Sequence, residues 1–356
     1  MNILLKQEEK YCGIIDALGL AETSGWQPLK QLKTLDTRLL AILLCATLFG
    51  CGGSSTTTNN DDSGGDDTQT TAVDITNAVF TENSFDCADY EGAYTSAVVY
   101  VNGSQGFDGT VDITAGETSC LIASNNIPNH DFVDNPDSNP GDPSEQDLLF
   151  TVSRSPALTG DIVWLWDLNQ YWDAVFLNGT VVNILTAGCW NGTANVPGGC
   201  DFDDPYLILG LSSAENGLEQ FIMDSHNGHV QPGSGAYHYH GEPMAMYDDN
   251  PGPDGSPLIG FAADGFPIYG PYFLDDDTGQ VREAVPGWTL KTGTRTGGPG
   301  GEYDGTYVSD WEFTDAGDLD ECNGMTVDGN YQYHVTEAFP HTVWCFKGSV
   351  DPSFAK

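Results

Sequence analysis

Basic residues are scarce. The chain has 11 Lys and Arg against 52 Asp and Glu, for a formal net charge of -41 over 356 residues. Residues 1–50 are balanced, with five bases and five acids, so the imbalance sits on the remainder, 6 bases against 47 acids. Such a surface excludes nucleic acid as a partner and excludes docking on anionic lipid, because both need clustered Lys and Arg. Long apolar runs are also lacking. The stretch Leu39 to Phe49 is 11 residues, too short to cross a bilayer. No internal repeat is visible, and no loop has the full twelve-residue calcium pattern with its closing glutamate. Acid-rich chains can be disordered, but 11% aromatic residues, 8 Trp among them, predict a packed core.

The short apolar run has another use. Lys30, Lys33 and Arg38 precede it and Leu48-Phe49-Gly50-Cys51 closes it, the order of a bacterial lipoprotein signal. Residues 1–50 are thus expected to be a signal segment and Cys51 the lipidated first residue of the mature chain. A plain secretory signal is the alternative. Residues 1–29 are long for such a signal and read as a start assigned too far upstream. No Met lies between Met1 and Met223, so that start would use a non-ATG codon. Residues 51–72, rich in Gly, Ser, Thr, Asn and Asp, form the expected flexible tether. The folded part is then 73–356, with 73–125 as a small N-terminal β subdomain. The expected location is the bacterial cell envelope, with the membrane a partner only through the lipid.

Cysteine usage agrees with export. Beyond Cys12, Cys45 and Cys51, six remain: Cys87, Cys120, Cys189, Cys200, Cys322 and Cys345. Six allow 15 connectivities, and nearest-neighbour pairing is the simplest. Full pairing leaves no thiolate for nucleophilic attack. Short runs rich in Val, Ile, Thr, Tyr and Phe, broken by Gly, Asn, Asp and Pro, predict a mainly β, disulfide-braced domain, sandwich- or barrel-like, with long loops. One helix is expected over Ser213–Phe221, weakened by Gly217.

Chemistry concentrates in the histidines. Only 7 occur, and His226, His229, His238 and His240 fall within fifteen positions. On a strand His238 and His240 project from one face, with Tyr237 and Tyr239 opposite. Paired neutral imidazoles suit zinc, copper, iron or nickel. His229 and His130 sit in loops able to complete four-coordination, with His334 as a replacement. His226 and His341 read as structural or surface residues. Asp264, in a turn rich in Gly and Pro beside bulky apolar groups, is a candidate general base, metal ligand or support for a ligating ring, against the plain reading of a turn aspartate. The acidic clusters Asp248, Asp249, Asn250, Asp254 and Asp318, Asp320, Glu321 give weak support for calcium.

Several stretches together resemble the YHYH-domain family. They include Asn126-Ile127-Pro128-Asn129-His130, Val175-Phe176-Leu177-Asn178-Gly179, His229-Val230-Gln231-Pro232, Tyr237-His238-Tyr239-His240-Gly241, Gly260 to Gly270, and Leu319 to Gly324 with Tyr331-Gln332-Tyr333-His334. The resemblance implies export and no particular reaction. Within it, Gln332 stands where a first histidine would complete a second motif, and His341 stands where Tyr is expected.

Three functions follow as expectations. The first is a lipid-anchored protein that binds copper or zinc. The second is a metalloenzyme, hydrolase or oxidoreductase of unspecified substrate, whose three protein ligands leave a coordination position open. The third is a carbohydrate- or surface-binding β domain with structural histidines.

Overall fold

Alternation of inward apolar and outward polar side chains builds the first sheet. The computed structural model describes residues 71–137, 141–168, 170–212, 218, 222–248 and 251–356. The expected signal segment, Cys51, nearly all of the expected tether, most of the expected Ser213–Phe221 helix, Asp249 and Asn250 lie outside the described residues. In strand β3 (Gln105–Ala115), Val111 and Ile113 point inward while Asp108, Thr110, Asp112 and Thr114 face water. It pairs on one side with β2 (Gly92–Tyr100), which β1 (Val73–Asp74) joins in parallel. On the other side lie β4 (Ser119–Ser124) and β5 (Leu148–Ser153), so this five-stranded sheet reaches beyond residue 125. Its buried face shares one apolar core with a second sheet, through Val111, Ile122 and Phe150 on one side and Val175, Phe261 and Ile268 on the other.

The second sheet has eight short strands. In chain order these are β6 (Ala174–Phe176), β7 (Val181–Val182), β8 (Gly228–Val230), β9 (Tyr237–Tyr239), β10 (Leu258–Ala262), β11 (Pro267–Tyr269), β12 (Gly324–Val327) and β13 (Asn330–His334). Their order across the sheet is β8-β9-β7-β6-β10-β11-β13-β12. The fold is mainly β, as expected, and the helical turns among the described residues are three- or four-residue 3-10 turns. The three bridges join Cys87 to Cys120, Cys189 to Cys200 and Cys322 to Cys345, the nearest-neighbour set.

One expectation is overturned. The eight-stranded sheet is an internal repeat. Each half is a hairpin whose second strand runs parallel to the last strand of another hairpin, β7 beside β9 and β11 beside β13. The registers correspond: Tyr239 faces Val182 in one half, and Tyr333 faces Ile268 in the other. At the centre, β6 and β10 pair antiparallel, with Val175 opposite Phe261. Leu177 N–H donates to Ile259 O, and its counterpart Ala263 N–H donates to Asp173 O. A pseudo-two-fold axis therefore passes through this pair. Sequence inspection misses the repeat because the strands are two to five residues long and the loop from Gly228 to Tyr237 is longer than that from Gly324 to Tyr331.

Candidate metal centre

The turn before each hairpin is tied by one aspartate. Asp224 Oδ1 accepts the N–H groups of His226 and Gly228, and Asp320 Oδ1 accepts those of Cys322 and Gly324. Asn227 and Asn323 take the left-handed conformation between them, with φ of 59° and 68°. A glycine must follow each. A Cβ on Gly228 would lie 2.3 Å from the Tyr237 hydroxyl, and one on Gly324 2.2 Å from that of Tyr331. The signal for these aspartates, which the motif reading missed, is the recurrence of Asp-x-x-Asn-Gly ahead of both Tyr-x-Tyr-His segments.

This turn sets the register of β8 on β9, with His229 directly opposite His238. His240 follows on the same face as His238. The three rings form a near-equilateral group, with centroids 4.6, 4.9 and 4.8 Å apart. The His240 Nε2 lies 3.0 Å from that of His238 and 3.1 Å from that of His229. His238 Nδ1 donates to Ala236 O and His240 Nδ1 to Ile184 O. Those protons leave bare Nε2 lone pairs turned toward one another. Burial, then the mutual repulsion of the rings, hold His238 and His240 well below the ordinary histidine range, so both are neutral. Bare lone pairs at this distance repel, and a shared cation reverses the sign. Nitrogens about 2.0–2.1 Å from zinc at tetrahedral angles stand roughly 3.4 Å apart, so small adjustments fit the group to an ion. His229, His238 and His240 are able to hold a metal ion.

The other candidates lie elsewhere. His130 is not with the triad, because it packs on the tyrosine face of β9. Its Nε2 pairs with the Tyr239 hydroxyl at 2.6 Å, its Nδ1 donates to Asp131 O, and its ring packs at a tilt against His226, centroids 3.9 Å apart. His334 belongs to the second half of the sheet, where Gln332 Nε2 donates to its Nε2 at 2.8 Å and its Nδ1 donates to Gly270 O. Asp264 is buried and holds structure together. It accepts from the Tyr333 hydroxyl and from the N–H groups of Gly348, Lys347 and Phe266. Its counterpart in the other half is Asn178, which donates to the Tyr239 hydroxyl at 3.0 Å. The calcium expectation at Asp318, Asp320 and Glu321 meets protein partners instead: Arg282 binds Asp318, and Lys347 binds both Asp320 and Glu321.

Three residues beside the triad had no sequence signal. Trp172 lies against His238, ring centroids 5.9 Å apart. The Lys356 ammonium sits 4.3 Å over the Trp172 ring, and loss of water pulls its pKa down to about 8. Asp173 is buried, which pushes its carboxyl up to about 7, and it accepts the N–H of Ile184, whose carbonyl receives the His240 proton. These three come from positions 172, 173 and 356, joined only by folding.

The profile of a family described as YHYH protein matches residues 149–348. No curated protein matches the chain, and no solved structure does. The matched span includes the triad, both hairpins of each half and two of the disulfides.

Proposed function

This chain belongs to the YHYH protein family, and we propose that it is a lipid-anchored envelope protein that binds one copper or zinc ion through His229, His238 and His240. The convergence of three buried Nε2 atoms carries the reading. Imidazole suits both metals, the Irving–Williams order favouring copper and availability favouring zinc. Anchoring rests on the lipobox ending in Cys51. Metal content of protein exported with added copper or zinc is expected to reach one ion per chain. Alanine at 229, 238 or 240 should abolish stoichiometric binding, while His130→Ala should retain it. Wild-type protein that carries no ion would sink the reading in favour of a β domain with structural histidines. A fatty-acid label should mark the wild type and not Cys51→Ser.

A metalloenzyme reading is favoured by the ligand count. Three protein ligands leave a fourth position for an exchangeable group. Lys356, which reaches the triad across the Trp172 ring and acts electrostatically on His238 and His240, supplies a positive charge on that side of the site. Azide should therefore bind the copper-loaded protein, and Lys356→Gln should weaken it about tenfold, roughly 1.4 kcal/mol. Lys356→Arg should not weaken it. Equal affinity in all three proteins would remove Lys356 from the site, and no azide binding at all would mean a closed centre.

A further inference from the structure

The repeat sets a second site against the triad. Met325 occupies the position of His229, Gln332 that of His238, and His334 that of His240. Met325 lies directly opposite Gln332, as His229 lies opposite His238. His334 N–H donates to Asn323 O as His240 N–H donates to Asn227 O. The ring protons also match. His334 Nδ1 donates to Gly270 O and His240 Nδ1 to Ile184 O, carbonyls at equivalent places after β11 and β7. The His334 Nε2 thus presents the same bare lone pair, aimed the same way. What meets it differs. In place of a second imidazole, the Gln332 amide donates to it at 2.8 Å.

We infer that the second half of the sheet is a metal module that has exchanged its ion for a hydrogen bond, and that histidines at 325 and 332 would return a zinc or copper site to it. The backbone frame is intact. The aspartate-tied turn, the left-handed asparagine, the glycine under the tyrosine hydroxyl and the Nδ1–carbonyl bond are all present. Two of three ligands have gone, to a half-buried thioether and a buried amide. The amide occupies the lone pair of the remaining imidazole, so His334 Nε2 has none left over for an ion. There is also room. Met325 lines an open cleft of about 470 Å³ with Phe273, Thr326 and the ion-paired Arg282 and Asp318, which gives a new imidazole somewhere to turn.

The test is zinc stoichiometry by equilibrium dialysis on the full exported chain, with near-ultraviolet circular dichroism to verify packing. This inference rests on the triad holding an ion, so two backgrounds are used. Wild type should bind one zinc and Met325→His with Gln332→His two. In the His238→Ala with His240→Ala background, the same pair of substitutions should raise zinc from none to one. The single Gln332→His, which restores two of three ligands, should bind far more weakly than the pair. A folded double variant that still binds one zinc would overturn the inference. So would a wild type that binds two and loses one on His334→Ala, since that would make the second site open as it stands. A wild type without zinc whose double variant binds one would refute the triad reading and the exchange of an ion argued from it, while showing that the second frame accepts one. No zinc in either protein would refute both.

Discussion

His238 and Tyr239 are covalent neighbours with separate chemistry, because a strand turns successive side chains to opposite faces. The imidazole meets His229 and His240, and the phenol meets His130 and Asn178. Burial gives the remaining histidines a measurable effect. Desolvation lowers the pKa of His130 to about 3 and that of His334 to about 4. Between those values and the ordinary 6.5, the unfolded chain takes up protons that the folded chain refuses. Stability from these groups is complete above about pH 6.5 and is lost as pH falls toward 4, by up to about 3 kcal/mol for His334. Asp173, raised to about 7, works the other way and gains stability as pH falls from 7 toward the ordinary carboxyl range. Burial lowers His226, His238, His240 and His341 as well, six histidines against three raised carboxyls at Asp173, Asp224 and Asp264, so the histidines dominate. Urea midpoints of the metal-free protein should drop between pH 7 and 4, and the drop should be smaller in His334→Gln. A midpoint flat across that range would contradict the assigned shifts.

At the scale of the element, the hairpin needs its glycine. Gly228→Ala forces the buried Tyr237 hydroxyl off Asp224, to which it donates at 2.8 Å, and leaves a buried carboxylate short of a donor. The expected cost is about 1–3 kcal/mol, with loss of metal affinity because the His229–His238 register goes with it. Gly324→Ala should destabilise similarly and leave metal affinity unchanged. Denaturant curves and zinc titration of both variants check this, and equal metal loss in the two would contradict the assignment. The strand alternation at Tyr237 to His240 was legible in sequence because a period of two needs no tertiary information. His229 was legible as a candidate, but its pairing with His238 depends on a hairpin register set by Asp224. His130 misled because proximity through a tyrosine face cannot be told from ligation in one dimension. Asp264 misled for a related reason: its partners at residues 333, 347 and 348 are brought to it only by the closed sheet.

The whole molecule is held against its own charge. Three disulfides brace short strands that carry little hydrogen bonding each. Thiol titration of the denatured, unreduced protein should find no free thiol among these six cysteines, and reduction should cost roughly 2–4 kcal/mol per bridge. With a net charge of -41, self-repulsion favours expansion. Melting temperature should rise as sodium chloride goes from low to high concentration, most steeply after reduction, and a fall would mean that ion pairs rather than repulsion dominate. The central strand pair has its own consequence at this scale. In a dimer of two identical chains, a side chain on the two-fold axis must pack against itself, so its shape is chosen under a constraint no other residue feels. Here the halves share one chain, and the axis runs between Val175 and Phe261, a small partner and a large one. Joining the copies covalently frees each from being its own mirror, and that freedom to become unlike reaches outward from the axis to the hairpins, where three histidines stand on one side and one on the other.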